Sequence, residues 1–422
     1  MPDALDRQTG ATAEPLRDNR DFGVLLTSQG VSSLGDAVSF TALPLLVLAL
    51  TGSGVVMGVV GALGVLPDFA FAMVAGALAD RGDRRRMMLV ADLGRTILTA
   101  AIPLSVLVGG PTMAVILLVA GPMGILRSVF RAGYISSVPA LVGRPQVARA
   151  TAIFETVYSV GFIVGPSIAG VLAAAIGPGP TLAIDAGSFA ASALGLALVR
   201  RPLRAPAGRP QTRMVDDIRE GIRFIVHHPV LRVAILFWSL STIFLAPMIS
   251  ALVFRVTRDL GQSSAVLGLV LTAYGGGTVV GSLLATRLGP RSPAGVVLLA
   301  GELAMGLGLV AIAIASWIPA LLACAVAYGT AETVVVITYV TVRTAASPDH
   351  LLGRVASTAR VISLGLQPLG LLAGGVLIDA TSGTMTMAVL GAAIVVLVVG
   401  FTPVRALRGA RAVGHPHGGL ES

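Results

Sequence analysis

Asp36 stands about fourteen residues into an apolar run, roughly 21 Å from its start at ~1.5 Å per residue. A carboxyl that deep cannot reach water at either end. It is costly as an anion and tolerable as an acid, so its natural chemistry is to take up and release a proton. Asp68, next to Pro67, and Glu332 sit in apolar runs of the same kind, and these three are the proton-coupling candidates. Arg127, Arg131, Glu155 and Arg360 are candidates for charges that line a pathway or pair across two parts of the molecule. Arg127 lies only ~9 Å from the expected end of its run, so reaching out to lipid phosphate is the plainer alternative. Glu302 and Asp185 are weaker candidates, and Arg95 is expected to pair with Asp92 three residues earlier. A second concentration of charge lies in the short gap Gly76-Ala-Leu78-Ala-Asp80-Arg81-Gly-Asp-Arg84-Arg85-Arg86, with acids beside arginines at a helix end.

The elements that carry these groups follow from composition. Of 422 residues, 55% are hydrophobic and 12% charged, with a mean hydropathy of +0.88. Soluble domains carry about 25% charged residues, so the chain belongs in a bilayer. Apolar windows place twelve helices near 22–50, 54–79, 87–108, 112–133, 151–175, 180–199, 230–254, 264–288, 293–315, 318–342, 353–379 and 384–403. The fold class is therefore all-α and polytopic. All 30 basic residues are arginine. With the N-terminus inside, only Arg255 and Arg258 fall in outward loops, so the positive-inside bias puts both termini in the cytoplasm. The net charge of +9 thus reflects topology and not nucleic-acid binding. The first 21 residues do not resemble a cleavable signal peptide.

Residues 200–229 divide the chain into halves at 22–199 and 230–403, flanked by tails at 1–21 and 404–422. The linker opens with a Pro/Arg stretch. It then places Val215, Ile218, Ile222 and Ile225 opposite Asp217, Arg219, Glu220 and Arg223, the pattern of a helix on the inner membrane surface. A partner-docking helix is the alternative reading. The halves repeat at a constant offset: Gly76-Ala-Leu recurs as Gly281-Ser-Leu, Arg149 as Arg354 and Gly170-Val-Leu as Gly375-Val-Leu. Parallel six-helix repeats leave a pathway between them. The same offset sets Arg127 against Glu332 and Glu155 against Arg360, opposite charges that suggest ion pairs between the halves.

The chain resembles the major facilitator superfamily on the strength of the twelve spans, the repeat and the charged loop. In that loop Gly76, Leu78, Ala79, Asp80, Arg81, Arg84 and Arg85 match the family pattern, and Asp83 stands where a second glycine is usual. Gly161-x-x-x-Gly165-Pro166-x-x-x-Gly170 resembles the glycine-proline motif of members that export by antiport. Ser33-Leu-Gly-Asp36 and Val138-Pro-Ala-Leu-Val resemble the branch of macrolide and siderophore exporters, of the enterobactin-exporter kind. The resemblance implies that Asp80 meets the start of span 11 when the inner side closes, with Arg354 and Arg360 as nearby cations. It also implies that span 5 packs on span 8, where Gly275-Gly-Gly277 and Gly281 are small.

The expectation is a plasma-membrane secondary transporter that exports small amphiphiles against protons, with lipid, substrate and protons as its partners. A monomer suffices. Uptake or uniport is the alternative within transport, and a receptor or scaffold the alternative outside it. No Walker-type loop exists in a chain without lysine. No metal-ligand pattern involves His227, His228, His350 or Cys324, so no cofactor, metal or enzyme activity is expected.

Overall fold

A computed structural model describes residues 15–203, 214–288, 293–348 and 351–405. Most of both expected tails, the Pro/Arg part of the linker and His350 lie outside the described residues.

Twelve helices are long and apolar enough to cross a membrane. Spans 1 to 6 are Arg20–Thr51, Gly54–Arg81, Arg84–Leu107, Thr112–Val142, Val147–Ile176 and Pro178–Leu198. A linker helix, Met214–His227, precedes span 7. Span 7 runs as Pro229–Leu245, continues as Met248–Phe254 and ends in a π-helical turn, Arg255–Asp259. Spans 8 to 12 are Ser264–Leu288, Ala294–Ile314, Ile318–Ala345, Leu352–Ala380 and Gly383–Phe401. Several spans start at a short polar side chain that satisfies one of the first free amides. Asn19 accepts from Phe22 N at 3.0 Å, and Asp83 accepts from Arg86 N at 3.2 Å. Asp83, the departure from the family loop, is therefore the N-cap of span 3. Gly82 beside it is extended (φ −100°), and a Cβ there would lie 2.8 Å from Leu78 O. That turn needs glycine for close approach and not for a left-handed backbone.

The expected outward loop at Arg255 and Arg258 is corrected. Both lie in the π-helical turn, which extends span 7. Arg255 is buried, donating to Thr384 Oγ1 and Ala315 O, each at 2.9 Å. Asp259 accepts from Thr384 N at 2.6 Å, tying the end of span 7 to the start of span 12.

Within each half the spans pack side by side, with span 1 against 5 and 6, and span 3 against 4 and 6. Between the halves, span 2 packs on span 11 and span 5 on span 8. One face of the bundle carries the arginine-rich connections, and the opposite face carries the short turns at 52–53, 108–111 and 381–382. The seam is tight near the arginine-poor face. A Cβ on Gly58 would strike Leu371 O, and one on Gly375 would lie 2.5 Å from Gly54 O. Towards the arginine-rich face the helices part, and Gly76 has no atom within 4 Å of a built Cβ.

The linker helix is docked more firmly than a surface helix. Glu220 pairs with Arg354 of span 11, Ile225 is buried, and a Cβ on Gly221 would lie 2.5 Å from Thr358 Oγ1. Ile222 and Val226 remain exposed on its outer side.

Candidate functional site

Asp36 sits half-buried on span 1 and accepts from Arg95 Nη2 of span 3 at 2.8 Å. Arg95 is 3% exposed. Its Nη1 lies 3.4 Å from Asp92 Oδ1, as the sequence spacing suggests, and its guanidinium rests 3.7 Å from the Phe189 ring centroid on span 6. A stacked, bridged arginine of this kind fits the weakly hydrated planar cation better than lysine would. The pairing of Arg95 with Asp36 has no signal in the sequence, because nothing there sets the rotation of span 3 against span 1.

On the open side of Asp36, Tyr158 of span 5 stands among Asp36, Glu155, Arg127 and Arg131. Tyr158 and Phe162 rings lie 4.7 Å apart, and Phe162 and Phe40 lie 5.8 Å apart. Phe40 and Tyr158 are 41% and 49% exposed, so spans 1 and 5 present an aromatic strip next to charge. Its residues are scattered along the sequence, and a composition with 5% aromatics hides their convergence.

Asp68 and Arg131 pair at 3.4 Å, and Arg360 of span 11 stands close enough to both to interact. The expected cross-half pairs are not made here. Arg127 and Glu155 are exposed, and neither Arg127–Glu332 nor Glu155–Arg360 forms a salt bridge among the described residues. The offset aligns their sequence positions, but helix rotation and the parting of the halves separate them. Glu332 turns into its own half beside Tyr274 of span 8, with Oε2 lacking a hydrogen-bond partner. Glu302 of span 9 is fully buried, with both oxygens 2.9 Å from Ser241 Oγ of span 7.

The charged loop holds helix ends together. Arg84 Nε donates to Ala79 O at 3.0 Å and Nη1 to Ser136 O at 2.6 Å. Arg85 Nε donates to Leu196 O at 3.0 Å, and Nη2 to Ala197 O. These cations meet the carbonyl ends of spans 2, 4 and 6, where the helix dipole is negative. Asp80 is exposed and without a salt-bridge partner among the described residues, while Arg354 is engaged by Glu220. At the other end of the same seam, Asp379 of span 11 caps span 2. It accepts from Ser53 Oγ at 2.5 Å, from Val55 N at 3.1 Å and from Gly54 N. Asp80 and Asp379 are each the penultimate residue of their antiparallel helices.

The glycine-proline segment of span 5 divides its contacts. Gly170 meets Gly268 and accepts from Ser264 Oγ at 3.1 Å, and Ser167 Oγ lies 2.5 Å from Thr272 Oγ1, so span 5 does seal against span 8. Gly161 and Gly165 face Ser33 and Ala37 of span 1 instead. On span 8, Gly275 faces Ile163, whereas Gly277 and Gly281 face span 10.

Comparison with known proteins agrees with this architecture. The family described as "Transmembrane secretion effector" (MFS_3) matches residues 10–410. The multidrug efflux pump Tap of Mycobacterium tuberculosis (strain ATCC 25618 / H37Rv) is 32% identical over 372 residues, covering 85% of this chain and 87% of the relative. The enterobactin exporter EntS of Escherichia coli O81 (strain ED1a) is 24% identical over 343 residues, 81% of each chain. Among solved structures, a D323A mutant of the nucleoside transporter NupG superposes with a TM-score of 0.76 at 12% identity, covering 90% of this chain and 99% of its own. The twelve-span fold, the paired halves and a family match across nearly the whole length converge: the chain belongs to the transmembrane secretion effector family of major facilitator transporters and is related to efflux pumps.

Proposed function

We propose that this transporter exports small amphiphilic molecules from a bacterial cytoplasm in exchange for protons, by alternating access, with both termini and the arginine-rich face cytoplasmic. The observation that carries the reading is the asymmetric seam. Spans 2 and 11 are locked near the arginine-poor face through Asp379 and part towards the other, exposing Asp36 and the aromatic strip on the same side. Such a conformation loads cargo from the cytoplasm. Flat rings and a nearby charge suit molecules with an apolar body and a polar end, held with little loss of rotamer freedom. A proton on Asp36 would release Arg95, and this change in a buried ion pair is what couples chemistry to reorientation. When the halves rock, Asp379 leaves span 2 and Asp80 meets the start of span 11, so one carboxylate-to-helix contact replaces the other. The relatives named as a multidrug pump and a siderophore exporter support the direction.

The test uses inside-out vesicles, ethidium as probe and an imposed acid-inside gradient. Accumulation that a protonophore abolishes, and that Asp36→Asn and Asp80→Asn each lose, is the expected result. Accumulation indifferent to the gradient would sink proton coupling, and ethidium leaving the vesicles under the gradient would reverse the direction.

A further inference from the structure

Behind Asp36, away from the opening, spans 1, 3 and 6 enclose a second carboxyl. Asp185 is 2% exposed. Ser39 Oγ of span 1 donates to its Oδ2, and Ser188 Oγ lies 3.3 Å from its Oδ1. Span 1 makes room for it by having no side chain at Gly35, where a Cβ would lie 2.8 Å from Asp185 Oδ1.

The charges that face Asp185 do not balance. Span 1 brings Asp36, and span 3 brings Arg95 with Asp92 beside it. Span 5 places Tyr158 and Glu155 on the opening side of Asp36, together with Arg127 and Arg131 of span 4, and Arg131 is already paired with Asp68. Arg95 has one Nη on Asp36 and the other on Asp92, and no guanidinium forms a salt bridge with Asp185 among the described residues. Asp92 is fully buried, and apart from Arg95 its carboxyl meets only the hydroxyl of the buried Ser192 on span 6. Three carboxyls therefore share one guanidinium. Fully ionised, the cluster would hold two uncompensated anions at membrane depth, each of which costs several kcal/mol. Hydroxyl donors alone do not offset a full charge there.

We infer that Asp185 is a proton-binding site of the carrier, holding a proton in this conformation while Asp36 is ion-paired with Arg95. The inference rests on proton coupling as proposed above and names where the proton resides. Ser39 lies one helical turn from Asp36 on the same face of span 1. Transfer is a relay that starts when the Ser39 hydroxyl turns from Asp185 Oδ2 towards Asp36: the Asp185 acid then gives its proton to Ser39 Oγ, which passes its own to the Asp36 carboxylate. The products are an Asp185 carboxylate and an Asp36 acid, with no change in total charge. Arg95, freed from Asp36, is then available to the new anion. Cargo entering beside Asp36 can thus trigger proton movement without occupying the place where the proton is stored.

Infrared spectroscopy of the full chain in lipid bilayers reads this directly through the carbonyl stretch of protonated carboxyls. At neutral pH, the wild-type spectrum minus that of Asp185→Asn should contain one carboxylic-acid band, and Asp36→Asn should leave that band in place. A difference spectrum with only a carboxylate band, from an Asp185→Asn protein that melts as a folded carrier, overturns the inference. Ser39→Ala keeps the acid and removes a donor, so the same band must shift. An unshifted band also overturns the inference, and this arm stands even if Asp185→Asn does not fold. Ethidium transport separates the two readings. Wild-type accumulation without a gradient requirement defeats proton coupling, whereas gradient-dependent accumulation retained by a folded Asp185→Asn defeats only the storage site.

Discussion

In the N-terminal half, Asp36 of span 1 reaches Arg95 of span 3 at 2.8 Å; in the C-terminal half, Ser241 of span 7 reaches Glu302 of span 9 at 2.9 Å. The repeat that aligns Gly76 with Gly281 also aligns Asp36 with Ser241, and it places Arg95 opposite Ala300, two residues before Glu302, so the two contacts join corresponding helices. Their chemistry is opposite. One acid faces a cation and an opening. The other is fully buried and shares a single hydroxyl, and no cation pairs with it among the described residues. A carboxyl in that setting ties spans 7 and 9 together through a serine hydroxyl. Duplication supplied one scaffold, and the sign of its buried charges divides the work. On the mechanism proposed above, the N-terminal half would move protons and the C-terminal half would provide the wall against which it rocks.

This contrast can be broken by experiment. The largest effect should come from Arg95→Gln, which leaves Asp36 and Asp92 without their cation. We expect a loss of about 3–5 kcal/mol, read as a lowered melting temperature in detergent, with partial recovery in the double variant Arg95→Gln/Asp36→Asn. Asp36→Asn alone should fold and lose gradient-driven ethidium accumulation by about tenfold or more. Glu302→Gln is its counterpart and should keep accumulation within about twofold, since an amide oxygen still accepts from Ser241. Equal loss in both variants would erase the distinction between the halves. Ser241→Ala should cost about 1–3 kcal/mol by leaving Glu302 without its donor, with transport direction unchanged.

The smallest effect separates the two entry caps. Asn19 opens span 1 and does not titrate, whereas His228 opens span 7 by accepting from Leu231 N at 3.3 Å. Burial holds His228 below its ordinary value of 6.5, and the cap needs the neutral ring. Its contribution is therefore present above pH 6.5 and is lost as pH falls through the depressed value. A melting temperature that declines on that acid side in the wild type should decline less in His228→Asn, which keeps a capping oxygen.

Much of this molecule was legible in its residues. Long apolar windows fix the twelve spans because a bilayer leaves the backbone few other ways to satisfy its polar groups. The loop arginines were legible as a set, but Asp83 as a cap depends on one backbone turn. What stayed hidden was rotation about helix axes. Arg95 was readable as a partner of Asp92 on its own helix, and its bond to Asp36 was not, because that bond crosses spans. Asp185 and Glu302 rank as weaker candidates because the family resemblance puts spans 6 and 9 at the periphery, although each anchors a buried contact. Arg127, Glu332, Glu155 and Arg360 align by repeat and still do not meet, since pseudo-symmetry relates positions and not facing directions. Asp379 resembles an ordinary polar residue at a helix end until span 2 is seen beneath it.

The glycine seam between spans 2 and 11 has a mechanical consequence. Gly54, Gly58 and Gly375 bring backbone against backbone, with carbonyl oxygens where side-chain knobs would otherwise interlock. Few side chains interlock there, Ile378 on Gly54 and Leu371 on Gly61 being the exceptions, so close backbone packing carries most of the contact. In the proposed cycle the joint would act as a smooth bearing that parts and reseats without searching for its register. Its grip is concentrated in a few polar contacts at the rim.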